Sequence, residues 1–184
     1  MYFERLLLKY ASEKRRIKVN FKGISNQNGD APVTGDMGGA GLYTSWTHPH
    51  SKREYKWDGH TRVPIVDLSS YLADHSVKDV CIAVFDLEGH EPQAIQGLTG
   101  EYIPPFIVYE VGGANVDQRS SSTWSQADIA KYLNKLGYRL FMIGKHGLLE
   151  VVSSFFTEAA AWDEGYGGVV SGNVMAIHAE AIQA

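Results

Sequence analysis

The sequence has little cysteine and no long apolar run: Cys81 is its only cysteine among 184 residues. A single cysteine excludes an internal disulfide, and its place within an apolar segment predicts a small buried hydrophobe. No stretch approaches the length of a membrane-spanning helix, and the first residues do not resemble a secretory signal. We therefore expect a cytoplasmic protein without a membrane span.

Strong charge of either sign is also missing, since 17 lysines and arginines stand against 21 aspartates and glutamates. The densest basic cluster, residues 14–16, is typical of the solvated end of a helix. Proteins that bind nucleic acid usually carry a basic face, so nucleic acid is not an expected partner. The histidines lack an accompanying cysteine or HExxH pattern. We therefore predict that His48, His50 and His60 are surface residues and that the chain holds no metal.

The residues that are present have the composition of a globular protein, with 44% hydrophobic and 21% charged residues. The length fits one domain over residues 1–184. Strand-like and helix-like segments alternate and end in an antiparallel strand set, which is typical of an α/β fold. We expect strands at 17–23, 62–66, 80–85, 105–111, 138–143, 148–152 and 173–179, and helices near 3–14, 68–72, 91–98, 125–136 and 155–162.

Two segments carry additional expectations. The strand at 62–66 contains Pro64, which predicts either an edge strand or an entry piece of the sheet. Residues 31–61 are too long for a simple connection and should contain short strands or a functional loop. Within them, residues 36–41 resemble a nucleotide-binding glycine loop, but the flanking sequence favours a flexible turn.

The most informative stretch is residues 79–91. Its first half is an almost unbroken apolar run, which predicts a strand buried on both faces, as in the middle of a parallel sheet. Its second half contains Asp86, Glu88, His90 and Glu91. Residues that follow such a strand lie at the carboxyl edge of the sheet, where α/β folds bind ligands. A helix-opening role for Glu91 and a packed loop position for His90 are the structural alternatives.

Residues 85–91, Phe-Asp-Leu-Glu-Gly-His-Glu, resemble the Asp-hydrophobe-Glu-Gly-x-Glu signature of FkbM-type S-adenosylmethionine-dependent methyltransferases. Weaker matches follow in the order of that family: Gly-Ile-Ser-Asn at 23–26, a strand ending in Glu110, Leu-Gly-Tyr at 136–138, and Asn173 before the last strand. The resemblance extends over residues 2–179. It implies the Rossmann-like sheet of class I methyltransferases.

The resemblance further implies methyl transfer from S-adenosylmethionine to a hydroxyl of a sugar or other small metabolite. Such a reaction is a direct displacement, in which the protein aligns the reactants and a base assists the acceptor. Asp86 is then expected where cofactor and acceptor meet. Glu88, His90 or Glu91 is expected to orient or deprotonate the acceptor.

The resemblance implies that Ser25 and Asn26 lie near the adenine of the cofactor, together with Asp86, and that Glu110 faces the acceptor. Family members begin with two strands and a glycine-rich loop, which here would precede Met1. We therefore expect a sheet truncated at its N-terminus, in a partial domain. One alternative is a non-catalytic binding module derived from a methyltransferase. A metal-dependent hydrolase that uses the acidic residues and histidines is a less favoured alternative.

Overall fold

The computed structural model describes residues 18, 20–34, 42, 45–47, 54–99, 102–111, 124–156 and 172–182. Within them the protein is an α/β structure with mixed sheets. The strands are β1 (Gly23–Ser25), β2 (Gly29–Pro32), β3 (Ser45–Thr47), β4 (Glu54–Lys56), β5 (Arg62–Asp67), β6 (Ile82–Phe85), β7 (Phe106–Val111), β8 (Tyr138–Gly144), β9 (Gly147–Val151) and β10 (Gly172–His178). The helices are α1 (Leu68–Asp74), α2 (Glu91–Gln96), α3 (Gln126–Lys135) and α4 (Ala179–Ile182). None of these helices is long and apolar enough to cross a membrane.

The larger sheet has five strands in the order β6-β7-β10-β8-β9. Strands β6 and β7 are parallel. Strand β10 pairs antiparallel with both β7 and β8, and β9 pairs antiparallel with β8. The expected antiparallel C-terminal set is present only in part, because β8, β9 and β10 pair antiparallel but join the parallel pair β6 and β7 in one mixed sheet. The chain returns to insert its last strand between β7 and β8.

The hydrophobic core lies on one face of this sheet, beneath α2 and α3. Ile95 of α2 and Ile129 and Leu133 of α3 are fully buried against the sheet residues Tyr109 and Leu140. Burying each large apolar side chain contributes about 1.5–3 kcal/mol. The core therefore fixes the two helices on the sheet. Helix α2 also fixes the position of residues 87–89, which precede it.

Strand β6 contradicts the expectation of burial on both faces. Ala83 and Phe85 are buried, whereas Ile82 is 49% and Val84 is 65% exposed. The physical reason is that β6 is the end strand of the five-stranded sheet, with the core on one face only. The prediction of a buried Cys81 is also wrong, because this residue precedes the strand and is exposed.

A second sheet has the order β1-β5-β2, with β1 parallel and β2 antiparallel to β5. The first strand lies at 23–25, later than the expected 17–23, and residues 18 and 20–22 are not in a strand. Strand β5 is central, so the edge position predicted from Pro64 is wrong. Proline fits here opposite Asp30, because alternate residues of an antiparallel pair need no ladder hydrogen bond.

The short strands expected within 31–61 are confirmed by β3 and β4, which form a two-stranded sheet. The exposed position of His60 is also confirmed. Several expectations lie outside the described residues: the helix at 3–14, the glycine segment at 36–41, and His48 and His50. A helical turn spans 153–156, and the remainder of the helix expected at 155–162 is not described.

Local contacts fix the ends of the helices. Asp67 caps α1, and its Oδ1 accepts a hydrogen bond of 2.8 Å from the Ser70 backbone N–H. Ser125 and Asp128 form a capping box at the start of α3. Gly137 follows α3 with a φ of 92°, a left-handed conformation that favours glycine. These contacts begin and end the helices at defined positions on the sheets.

The two sheets meet where α2 ends. A Cβ atom on Gly97 would lie 2.3 Å from the backbone oxygen of Ser25, so the end of α2 lies directly against β1. Beside this contact, Asn26 Nδ2 donates a 2.7 Å hydrogen bond to Gln96 Oε1. Ser69 Oγ, at the start of α1, donates a 2.7 Å hydrogen bond to the Gly97 carbonyl, so α1 also contacts the end of α2. This junction sets the separation between β1 and the end of β6.

Candidate functional site

An open cleft of about 330 Å³ lies between β1 and the residues that follow β6. Its walls are largely apolar and include Phe21, Ile24 and Leu87. Asp86 and His90 line the same cleft. The cleft therefore lies at the carboxyl end of a sheet strand, which is where α/β folds place their ligands.

Residues 87–89 form a tight turn between β6 and α2. Glu88 has a φ of 53° and Gly89 a φ of 98°, so two consecutive residues adopt the left-handed conformation. The carboxylate of Glu91 holds this turn by accepting hydrogen bonds from its backbone. Its Oε1 accepts from the Leu87 N–H at 2.7 Å, and its Oε2 accepts from the Gly89 N–H at 2.9 Å. Glu91 therefore fixes the turn that contains Glu88 and that directly follows Asp86.

Glu91 is almost completely buried, and its surroundings affect its pKa in opposite directions. Burial raises the pKa of the Glu91 carboxyl, because the charged form loses water. The hydrogen bonds from the backbone N–H groups of Leu87 and Gly89 act to lower it, and the charge of Glu110 acts to raise it. Burial is the largest of these effects. The carboxyl thus protonates more readily than a solvent-exposed glutamate.

His90 joins the turn to the second sheet. Its Nε2 lies 3.2 Å from Ser25 Oγ, and both side chains are buried. Burial lowers the pKa of the His90 imidazole to about 4, so the ring is neutral near pH 7. A neutral imidazole has one donor and one acceptor nitrogen. His90 can therefore bind Ser25 through one nitrogen while its ring lines the cleft.

Three carboxylates lie close together, those of Asp86, Glu88 and Glu110, called the carboxylate cluster below, and Asp86 is the member that lines the cleft. One oxygen from each lies within 4.8 Å of the others. Strand β7 contributes Glu110 because it runs parallel to β6 and ends at the same edge. Divalent cations such as Ca²⁺ and Mg²⁺ prefer oxygen ligands of this kind, although exposed acidic groups are common without an ion.

The residues predicted from the sequence fall into separate groups. Asp86 is exposed in the cleft, and Glu88 and Glu110 are half-buried beside it. The structure thus brings three of the predicted residues into one carboxylate cluster. It brings His90 and Ser25 together as a buried hydrogen-bonded pair.

The other predicted residues are placed differently. Both carboxylate oxygens of Glu91 accept hydrogen bonds from the backbone of the turn at 87–89. Asn26 is exposed, bonds to Gln96, and is not among the residues that line the cleft. Their assigned catalytic and cofactor-binding roles stay predictions.

Sequence reasoning missed the apolar lining of the cleft, which includes Phe21, Val63 and Leu87. It also missed Gly97, whose missing side chain allows β1 to approach α2. Phe21 and Val63 belong to segments that were recognised, but nothing in their spacing indicates which cavity they face. A glycine near the end of a helix is usual. The presence of Gly97 in the sequence therefore did not indicate that β1 packs against it.

Residues 4–140 match the model of the methyltransferase FkbM domain. The chain belongs to the FkbM methyltransferase domain family. The matched range contains all the residues of the cleft and of the carboxylate cluster. Strands β9 and β10 lie beyond it. No curated protein and no solved structure gives a significant match to the chain.

Proposed function

We propose that this FkbM-family protein transfers a methyl group from S-adenosylmethionine to a hydroxyl of a sugar or another small metabolite. The observation that carries the proposal is the position of two side chains on one apolar cleft: Asp86, the first residue of the signature, and His90, at its variable position. The cleft volume of about 330 Å³ lies at the lower end of the range for small-molecule sites, roughly 300–1,000 Å³.

The lining of the cleft fits this cofactor. Phe21, Ile24 and Val63 offer an apolar surface on which a purine ring can lie. The carboxylate of Asp86 offers a negative charge to a cationic ligand. S-adenosylmethionine supplies a methyl group bound to a positively charged sulfur. Ser25 lies buried behind the wall formed by Ile24, and it supports that wall through its hydrogen bond to His90.

Asp86 is the proposed catalytic residue. Its side chain is exposed in the cleft, and the turn that follows it is held rigid by Glu91. A base must reach within hydrogen-bond distance of the hydroxyl that it deprotonates, and an aligned acceptor reacts far faster than a free one. Asp86 orients the acceptor hydroxyl and accepts its proton. Glu91 is a positioning residue, because it acts through the backbone of the turn.

The carboxylate cluster favours one class of acceptor. Three carboxylates give the rim of the cleft a negative charge, so a phosphorylated or carboxylated acceptor is repelled. Carboxylates are also strong acceptors for hydroxyl hydrogen bonds. Glu88 and Glu110 therefore bind the additional hydroxyls of a neutral sugar or polyol.

The test compares Asp86→Asn with Asp79→Asn, a matched change at an exposed residue before β6. Calorimetry measures S-adenosylmethionine binding, and transfer of a labelled methyl group measures activity towards neutral and phosphorylated sugars. We expect Asp86→Asn to lower methyl transfer by about 100-fold or more, the usual effect of losing a general base. Asp79→Asn should stay within about twofold of the wild type. Full activity of Asp86→Asn, or no binding of the cofactor by the wild type, would contradict the proposal.

A second function, a non-catalytic binding module, is favoured by one observation. Among the described strands, β1 and β6 belong to different sheets and share no hydrogen bonds across the cleft. Such a cleft can hold an acceptor without any cofactor beside it. The same calorimetry separates the two functions, because the binding module should bind a sugar and remain silent towards S-adenosylmethionine.

A further inference from the structure

Four polar side chains form a line of hydrogen bonds from the end of α2 to the wall of the cleft, and we call them the polar network. Asn26 Nδ2 donates to Gln96 Oε1 at 2.7 Å. Ser25 Oγ donates to Asn26 Oδ1 at 3.4 Å, the longest bond of the network. The same Ser25 oxygen lies 3.2 Å from His90 Nε2. Ser25 is 1% and His90 is 9% exposed, so little water competes for the contact between them.

The polar network determines which ring nitrogen of His90 carries the proton. A serine hydroxyl has one proton to donate, and that of Ser25 goes to Asn26 Oδ1. Ser25 Oγ is then the acceptor in its contact with His90, so Nε2 carries the ring proton. In a neutral imidazole the other nitrogen, Nδ1, then holds a lone pair and accepts. Burial keeps the ring neutral near pH 7, because it lowers the pKa of His90 to about 4.

The Nδ1 atom of His90 is available to a ligand. Within the described part of the chain no group bonds to it, since α2 begins without a side-chain hydrogen bond from this residue and Nε2 is the atom that contacts Ser25. The ring of His90 lines the cleft. Nδ1 is therefore the ring nitrogen that remains for a molecule bound there.

The wall beside His90 indicates which ligand group meets this nitrogen. Ser25 directly follows Ile24, which belongs to the apolar wall proposed above for a purine ring. A purine that lies on this wall directs the polar groups of its edge sideways, towards the neighbouring side chains. Adenine has an amino group on that edge, which donates hydrogen bonds. Hypoxanthine has a carbonyl oxygen at the same position, which would face the lone pair of Nδ1 without a proton between them.

We propose that His90 Nδ1 accepts a hydrogen bond from the exocyclic amino group of an adenine bound in the cleft. Ser25 and Asn26 are positioning residues, because they hold His90 in the tautomer that can accept. The inference rests on the proposed function, since the purine wall belongs to the same site. It gives His90 a role in ligand selection, which differs from the orientation or deprotonation of the acceptor expected from the resemblance.

The first test compares adenosine with inosine, the nucleoside of hypoxanthine, by calorimetry on the full chain. We expect the wild type to bind adenosine about tenfold or more tightly than inosine, because inosine loses the hydrogen bond and leaves Nδ1 unpaired. Asn26→Ala frees the Ser25 proton for Nε2, so the ring proton can move to Nδ1. The preference for adenosine should then fall to within about twofold or reverse.

Gln96→Ala is the matched control, because it removes the other hydrogen bond of Asn26 and leaves the bond between Ser25 and Asn26 in place. It should keep the wild-type preference for adenosine. Nitrogen-15 NMR of the histidine rings provides a readout that does not require a ligand, since protonated and unprotonated ring nitrogens have different chemical shifts. We expect a protonated Nε2 at His90 in the wild type and in Gln96→Ala, and a protonated Nδ1 in Asn26→Ala.

The outcomes separate this inference from the proposed function. A wild type that binds S-adenosylmethionine but binds adenosine and inosine equally would overturn the inference alone. So would a protonated Nδ1 at His90 in the wild type, and both of these measurements remain decisive if Asn26→Ala does not fold. A wild type that binds neither S-adenosylmethionine nor the two nucleosides would overturn the proposed function and the inference together.

Discussion

The carboxylate of Glu91 accepts two hydrogen bonds from backbone N–H groups, and these hold the turn that contains the signature residues Glu88 and Gly89. The turn needs this support because Glu88 and Gly89 both adopt the left-handed conformation. Glycine adopts it readily, whereas a residue with a side chain, such as Glu88, does so only at a cost in energy. Glu91 lies directly before a proline in the first turn of α2. Its carboxylate is therefore anchored by a helix and supports the loop before it.

We expect Glu91→Gln to destabilise the protein by about 1–3 kcal/mol, because the amide group replaces one acceptor with a donor that faces a backbone N–H. Chemical denaturation measures the free energy of unfolding. The matched control is Glu180→Gln at an exposed position of α4, which should change it by less than about 0.5 kcal/mol. Equal stabilities for the two variants would mean that Glu91 does not support the turn.

The sequence could identify these residues but not their tasks. The apolar run before Asp86, Glu88, His90 and Glu91 predicted that they follow a strand, and the structure confirms that order. The side of the backbone to which each side chain turns depends on the left-handed pair at 88–89, which periodicity cannot predict. The proposed catalytic carboxylate of Asp86 and the supporting carboxylate of Glu91 therefore look alike in the sequence, and the hydrogen bonds of Glu91 distinguish them.

At the scale of elements, the junction of β1 with α2 sets the geometry of the cleft. Gly97→Ala would place a Cβ 2.3 Å from the Ser25 backbone oxygen, and a backbone atom cannot rotate away as a side chain can. We expect a loss of about 1–3 kcal/mol of stability, typical of overpacking, together with weaker ligand binding in the cleft. Thermal unfolding and calorimetry measure the two effects.

Gly172→Ala is the matched control for this junction. Its Cβ would lie 3.2 Å from Met142 Cε, the end of a flexible side chain that can move. The change should therefore cost much less than Gly97→Ala. If both variants were equally stable, the close approach of α2 and β1 would not constrain the cleft.

The elements themselves were largely predictable, because their signals are local. Caps at Asp67 and Ser125 and the left-handed Gly137 mark helix ends within a few residues. The exposure of β6 was not predictable, since an apolar run has the same composition in the centre of a sheet and at its end. Neighbours far away in the chain decide how much of Ile82 and Val84 is covered.

At the scale of the whole molecule, the division into two sheets could not be deduced from the sequence. Strands β1 and β2 of the smaller sheet are short, and the pairing of β1 with β5 joins residues near 23 to residues near 65. The buried His90–Ser25 hydrogen bond and the packing at Gly97 connect this sheet to α2. A change in the charge of His90 should therefore affect the stability of the entire fold.

The expected effect of pH follows from the low pKa of His90 in the folded protein. The imidazole titrates near 6.5 when exposed and at about 4 when buried, so between these values the unfolded chain binds the proton first. The free energy of unfolding should therefore fall as the pH decreases from about 6.5 to about 4. At ~1.4 kcal/mol per pH unit, the loss from His90 is on the order of 3 kcal/mol. The raised pKa of Glu91 acts in the opposite direction, since it lowers stability as the pH rises.

His90→Gln isolates the contribution of this residue, because glutamine can bond to Ser25 but does not titrate. We expect denaturation curves between pH 4 and 7 to show a smaller acid loss of stability for His90→Gln than for the wild type. His60→Gln, at an exposed histidine, should follow the wild-type curve. If the wild type and His90→Gln lost stability in parallel on acidification, His90 would not be desolvated in the folded protein. The hydrogen bond between Ser25 of the smaller sheet and the residue that precedes α2 would then involve a solvated histidine that can take up a proton.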